Sequence, residues 1–336
     1  MSIDVLLNTI KDIVQPGKGI LAADESHRTV GKRFEAVGVE NTEANRLAYR
    51  EMLFTAPNVG QYLSGVILFE ETLMQKASCG TPIPELLAKQ GIVPGIKVDK
   101  GLIELINADD EQTTQGLDGL PERLAEYRKL GARFAKWRSV YRISDDTPSM
   151  QAIHTNAEGL ARYATACQQA GIVPIVEPEI LIDGDHTLER CARVSDRVLF
   201  HTFRFLHLHK VHLEGMILKP SMVISGKQCA KQASHEEVAN ETLSVFRRTV
   251  PAAVPTINFL SGGQTPEQAT AHLNLMNQAA HKPWNLSFSY ARALQEPAMD
   301  AWRGKAENVQ AAQAAFLKRL ELNSKAQLGQ YSTDME

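Results

Sequence analysis

The chain has 336 residues, 43% of them hydrophobic and 22% charged, the proportions of a globular protein with a large core. Its formal net charge of −3 argues against a broad nucleic-acid surface, so any anion site must be a local cluster of cations. No apolar run is as long as a membrane span, and Met1–Val14 lacks the basic head and apolar core of a secretory signal.

Short apolar runs recur along the chain, and each ends in polar or small residues. Ile20–Ala23 ends at Asp24, Val66–Phe69 at Glu70, and Ile92–Ile96 at Lys97. Phe134-Ala135 ends at Lys136-Trp137-Arg138, Ile172–Val176 at Glu177-Pro178-Glu179, and Met216–Leu218 at Lys219. Ile257–Leu260 ends at Ser261-Gly262-Gly263, and Leu286–Tyr290 at Ala291-Arg292. Segments with helical period separate several of them: Leu124–Leu130, Ala157–Ala170, His235–Val250 and Thr265–Asn277. Apolar strands alternating with helices imply a parallel sheet covered by helices. Eight such units predict one (β/α)8 TIM-barrel domain over residues 1–336, with a doubly wound sheet as the rival. No G-x-G-x-x-G follows a strand and no linker divides the chain. Ala301–Leu320 reads as an outer helix and Asn323–Glu336 as a polar tail too poor in apolar residues to dock firmly.

Cys79, Cys167, Cys191 and Cys229 are scattered, with no C-x-x-C pair. A disulfide framework is not expected, and the cytoplasm is the default compartment. His201, His207, His209 and His212 cluster, but they are interleaved with Phe203, Phe205, Leu206, Leu208 and Val211, the pattern of a partly exposed helix surface rather than of paired zinc ligands.

In a (β/α)8 barrel the C-terminal strand ends meet at one mouth. Here they would bring Asp24, Lys97, Lys136, Arg138, Glu177, Glu179, Lys219 and Arg292 together. Unpaired charges are costly to bury, so such a set points to an anionic substrate and acid–base work. Lys219 follows the apolar run Gly215–Leu218. A lysine in that setting, beside the cations Lys97 and Lys136, is suited to attack a ketone as a free amine; the bland alternative is a lysine that snorkels from the rim. Glu177 and Glu179 would share a face, one as proton donor and the other as its partner, or both as a salt-bridged rim pair. Ser261-Gly262-Gly263-Gln264 lies between a strand and a helix, where backbone N–H groups can meet an anion, although S-G-G is also an ordinary turn. Arg292 adds the cation a phosphate needs.

Gly19-Ile20-Leu21-Ala22-Ala23-Asp24-Glu25-Ser26, Gly95-Ile96-Lys97-Val98-Asp99-Lys100-Gly101, Thr114–Leu120, Phe134–Arg138, Val173–Leu181, Leu213–Gly215 with Leu218-Lys219-Pro220, and Phe259–Gln264 together resemble the signature segments of class I fructose-bisphosphate aldolases. The likeness runs from the first strand nearly to the C-terminus. It implies a (β/α)8 barrel and reversible cleavage of fructose 1,6-bisphosphate in glycolysis and gluconeogenesis. It also implies a homotetramer and no metal or other cofactor. By the resemblance, Lys219 is the Schiff-base lysine and Glu177 the acid that dehydrates the carbinolamine. Lys136 and Glu179 are its charged neighbours, and Asp24 handles the C4 hydroxyl proton. Lys97 and Arg138 approach the open-chain sugar and its C6 phosphate. Ser261, Gly262, Gly263, Ser289, Ala291 and Arg292 match the C1-phosphate site, while Ser26, Thr29 and Arg33 fall at further phosphate-contacting positions.

The chain departs from the animal pattern at three places. His27-Arg28-Thr29 is bulkier than a Thr-Gly-Ser run. Ala291 replaces a glycine, which would cost about 1 kcal/mol if a positive φ is needed there. Finally, Tyr331 does not match the terminal tyrosine that assists enamine protonation; the short tail suits bacterial members. Another lysine-dependent aldolase barrel would need only one phosphate site. A phosphosugar-binding barrel would not need Lys219, Glu177, Lys136 and Asp24 together, and a zinc aldolase would need histidines at strand ends.

Overall fold

The computed structural model describes residues 3–336. The eight apolar runs form eight parallel strands: β1 (Gly19–Ala23), β2 (Leu63–Leu68), β3 (Val93–Lys97), β4 (Phe134–Tyr141), β5 (Val173–Ile180), β6 (Ile217–Leu218), β7 (Thr256–Phe259) and β8 (Asn285–Tyr290). They pair in sequential order, and β8 closes onto β1 through Ile20↔Ser289 and Leu21↔Tyr290. With helices between the strands, this is the expected (β/α)8 barrel.

Successive side chains on a strand point to opposite faces, and two buried clusters separate those faces. Ile20, Ala22, Ile67, Val93, Phe134, Val173, Ile175 and Ile217 pack with Leu6, Ile10 and Ile13; this is the barrel interior, closed at its N-terminal end by the helix Asp4–Ile13. Leu21, Val66, Ile96, Ala135, Val176, Leu218 and Phe288 belong to the larger cluster shared with the helices. Phe134 fills the interior because Gly95 faces it: a Cβ there would collide with the ring.

Two strands outrun the apolar runs. β4 carries Lys136 and Arg138 within it, and β5 carries Glu177, Pro178 and Glu179 within it. These residues therefore do not follow strand ends, as the sequence suggested. Lys136, Arg138, Glu177 and Glu179 occupy the upper interior face, because a strand remains a strand where its inward positions turn polar. A hairpin of Leu102–Glu104 and Gln112–Thr114 was not anticipated, since three-residue, partly exposed strands are too short to show a period.

The helices Leu120–Lys129, Met150–Gln169, His235–Thr249 and Pro266–Gln278 fall where helical period was read. The expected helix Ala301–Leu320 is instead two. Arg292–Trp302 ends at Arg303 and Gly304, both at positive φ (48° and 71°), and Val309–Gln327 follows. Glycine is the residue that stops a helix this way. The histidines His201 and His207 lie on the helix Leu188–Leu208 and its partly exposed surface. Among the described residues no group of His, Cys, Asp or Glu is placed to hold a metal ion, and no helix is long and apolar enough to cross a membrane.

The C-terminal stretch also differs from expectation. Asn323 and Ala326 are buried within the last long helix, and Tyr331 is buried beyond it. The Tyr331 N–H donates to Asn274 Oδ1 (3.0 Å), its hydroxyl to Glu336 Oε1 (2.9 Å), and Arg319 pairs with Glu336. The tail docks through polar contacts that hydropathy does not register. Removing Ser332–Glu336 strips the buried Arg319 of its carboxylate. We expect this truncation to destabilise the fold by about 1–3 kcal/mol, the cost of leaving a buried polar group unpaired. A chemical-denaturation midpoint equal to that of the full chain would overturn this.

Candidate active site

The interior parity of the strands selects the site. On β1, Ile20 and Ala22 lead to Asp24; on β3, Val93 and Gly95 lead to Lys97 and Asp99. On β4, Phe134 leads to Lys136 and Arg138. On β5, Val173 and Ile175 lead to Glu177 and Glu179, and on β6, Ile217 leads to Lys219. On each of these five strands the apolar floor gives way to charge toward the C-terminal end.

Four of these charges form one connected chain. Lys219 Nζ lies 3.3 Å from Glu177 Oε1, and Glu177 Oε2 lies 3.4 Å from Lys136 Nζ, which is 2.7 Å from Asp24 Oδ2. All four residues are buried. Lys219 is held in register because its N–H continues the β5–β6 ladder to Val176 O (2.8 Å). Burial alone would raise the Asp24 pKa, but Lys136, with Lys219 and Lys97 beyond it, outweighs burial and holds Asp24 well below the usual carboxylate range. Burial likewise disfavours charge on Lys136, yet Asp24, Glu177 and Asp99 raise its pKa above that of an ordinary lysine. Asp24 and Lys136 are thus a fixed ion pair.

Glu177 and Glu179 do share a face, but they are not partners of each other. Glu179 Oε2 takes Arg138 Nη1 at 2.9 Å, while Glu177 lies between the two lysines. The register Arg138↔Glu177 puts Arg138 within reach of both carboxylates, and Glu179 is the one it meets. Lys97 is held by Asp99 at 2.6 Å. Asp99 was missed as a site residue; its alternation with Gly95 and Lys97 was the available signal. Within this mouth Lys97, Lys136, Arg138 and Lys219 stand against Asp24, Asp99, Glu177 and Glu179, four cations to four carboxylates.

The loop after β7 lies at the same end. Gly262 and Gly263 adopt positive φ (58° and 84°), which glycine allows without strain. Gln264 donates through Nε2 to Ser261 O (2.9 Å), and its Oε1 accepts from His272 Nδ1 at 2.6 Å; His272 Nε2 faces His235 Nδ1 at 2.8 Å. Burial, and then His235, push the His272 pKa down to about 3, so His272 is a neutral strut for the loop. Thr265 caps the next helix in a capping box with Gln268. Ser289 Oγ on β8 is buried and bonds to no other group of the described chain. Ala291 has φ −104°, so the strain anticipated for replacing glycine there does not arise. Arg292 opens the next helix and lines a small cavity with Arg33, which is held by Glu25 at 2.5 Å. The Ser26 and Thr29 hydroxyls bond each other (3.1 Å), and Ser26 caps the helix His27–Ala36 by accepting from the Thr29 N–H (3.3 Å).

The family model for class-I fructose-bisphosphate aldolases matches residues 5–336. The chain belongs to this family. It is 56% identical over 332 residues to cytosolic fructose-bisphosphate aldolase 6 of Arabidopsis thaliana, covering 98% of this chain and 92% of that one. It is 54% identical over 331 residues to chloroplastic fructose-bisphosphate aldolase 1 of Chlamydomonas reinhardtii, covering 98% and 87%. The solved fructose-bisphosphate aldolase of Plasmodium falciparum, in complex with TRAP and a small-molecule inhibitor, superposes with a TM-score of 0.96 at 50% identity, covering 98% of this chain and 95% of that one. As an aldolase of this family the chain is a lyase. The sequence set apart Lys219, Glu177, Lys136 and Asp24, and in the fold of this aldolase they are a single chain of ion pairs.

Proposed function

We propose that the chain cleaves fructose 1,6-bisphosphate reversibly to dihydroxyacetone phosphate and glyceraldehyde 3-phosphate through an imine on Lys219. The observation that carries this reading is the position of Glu177, with one oxygen 3.3 Å from Lys219 Nζ and the other 3.4 Å from Lys136 Nζ. Transfer of one proton from the Lys219 ammonium to Glu177 creates a nucleophilic amine and a carboxylic acid together, without changing the net charge of the pocket. The amine adds to the C2 carbonyl. Glu177 then protonates the carbinolamine hydroxyl, which leaves as water and yields the iminium.

The iminium draws electrons from the C3–C4 bond as Asp24, charged and beside Lys136, accepts the C4 hydroxyl proton. Glyceraldehyde 3-phosphate departs and an enamine stays on Lys219. Protonation at C3 and hydrolysis of the imine release dihydroxyacetone phosphate and restore the amine. Lys136 keeps Asp24 ionised and is positioned to follow the charge on Glu177. Arg138 with Glu179, and Lys97 with Asp99, bound the open-chain sugar. The loop Ser261–Gly263 with Ser289, Ala291 and Arg292 receives the C1 phosphate; Ser26, Thr29 and Arg33 border the phosphate-binding rim.

In this mechanism the iminium is the electron sink, a role a bound metal would otherwise fill. Cleavage of fructose 1,6-bisphosphate is therefore expected to proceed at an unchanged rate in excess EDTA. A large loss restored by zinc would refute the imine route. We further infer a homotetramer in the cytoplasm. The four unpaired cysteines and the cytosolic relatives support the compartment, and the mass in solution by light scattering tests the assembly.

A further inference from the structure

Resting on the phosphate reading above, we propose that Lys227 is the second cation of the C1-phosphate subsite. This residue belongs to none of the segments that carry the family likeness. Its backbone is held in place. The segment Gly226–Gln228 is laced to the loop after β5 by Gly226 N–H to His186 O (2.8 Å), Lys227 N–H to Ile182 O (2.9 Å) and Gln228 N–H to Gly184 O (2.9 Å). Gly226 is needed for this approach, because a Cβ there would strike the Gly184 carbonyl. The anchored segment delivers Lys227 Nζ to the glycine turn. A Cβ built on Gly263 would lie 3.3 Å from Lys227 Nζ and 3.3 Å from Arg292 Nη2, so both cationic heads cover the same backbone residue.

Charge makes this placement informative. The lysines and arginine of the mouth are each matched by a carboxylate: Lys97 by Asp99, Lys136 and Lys219 by Asp24 and Glu177, and Arg138 by Glu179. Arg33 is matched by Glu25. Among the described residues, Lys227 and Arg292 form no salt bridge. Two like charges over one glycine repel unless an anion lies between them. A phosphate monoester carries nearly two negative charges near neutral pH. Arg292 can meet it with a planar fork and Lys227 with a point charge, and a turn of two glycines lets the anion approach the backbone. The subsite is thus matched to a dianionic phosphomonoester rather than to a singly charged carboxylate.

The test compares Lys227→Ala, Lys227→Met, Lys227→Arg and Arg292→Ala with the unaltered enzyme. Inorganic phosphate serves as a competitive inhibitor of fructose 1,6-bisphosphate cleavage over a range of KCl concentrations. For Lys227→Ala and Lys227→Met we expect the phosphate Ki and the substrate KM to rise about 10-fold, the worth of one charge-assisted contact, with the larger share of the loss in KM rather than kcat. The dependence of Ki on salt should flatten, and Lys227→Arg should restore most of the affinity. Unaltered thermal melting of Lys227→Met separates these effects from misfolding. If Arg292→Ala weakens phosphate binding while both neutral Lys227 variants bind it normally, the proposal fails and the subsite stands. If Arg292→Ala is also without effect, the phosphate reading of the loop fails with it.

Discussion

Borohydride reduction of the enzyme with dihydroxyacetone phosphate is expected to leave one covalent adduct, on Lys219. Three lysines of the mouth compete for that role. Lys97 is tied to Asp99 at 2.6 Å and Lys136 to Asp24 at 2.7 Å. For Lys136 the surrounding carboxylates raise the pKa and oppose formation of the free amine. Lys219 has the longer contact to Glu177, 3.3 Å, and a carboxylate placed to take its proton. Lys219→Ala should lower kcat by on the order of 10⁴-fold or more, as removal of a covalent nucleophile does. Phosphate inhibition should persist in this variant, because Arg292 and the Ser261 loop are untouched. Peptide mass analysis that finds the adduct on Lys97 or Lys136, with Lys219 unmodified, would sink the assignment.

Glu177→Gln is expected to slow imine formation and dehydration by roughly 10²–10⁴-fold, the range for loss of a general acid. The amide keeps the shape but cannot accept the Lys219 proton, and it leaves two buried lysines with one carboxylate, Asp24, nearby. Product affinity should change much less than kcat, since the phosphate-binding groups remain. Single-turnover kinetics with dihydroxyacetone phosphate would read the imine step directly. A near-normal rate would move the role to another group. Glu179 is a poor substitute, because its carboxylate is engaged by Arg138.

The barrel was legible because its determinants are local and repeated. Each strand is a short apolar run, each run ends in a charge or a small residue, and buried parallel strands need no polar face. The candidate site residues were legible for a related reason. Lys219, Lys136, Glu177 and Asp24 interrupt apolar runs at the inward parity, and charged residues in such places require a purpose. The segments they belong to also carry the family likeness.

The pairing of these charges was not legible. Sequence spacing brings Glu177 and Glu179 to one face, but it does not say that one meets two lysines and the other an arginine. That follows from the stagger of β4 against β5, which sets Arg138 opposite Glu177, and from the closure that brings Asp24 across to Lys136. Asp99 and Lys227 were overlooked because each is an ordinary charged residue in its own segment. One becomes the counter-charge of Lys97, and the other reaches Gly263 only through the backbone contacts of its loop with residues near Ile182. The docked tail was hidden for the same reason: Asn323, Arg319 and Tyr331 bury polar groups against partners distant in sequence, and hydropathy scores such groups as exposed.

The sequence by itself determined the eight-unit architecture, the direction in which the charged strand ends face, and the lysines and carboxylates available for chemistry. All of these depend on side-chain type and on a period of two or 3.6 along one segment. Only the tertiary structure decided which carboxylate meets which lysine, which cations stay without a carboxylate, and where the C-terminal residues come to rest. Those outcomes depend on distances of a few ångströms between separate segments, over which electrostatic and hydrogen-bond energies change steeply.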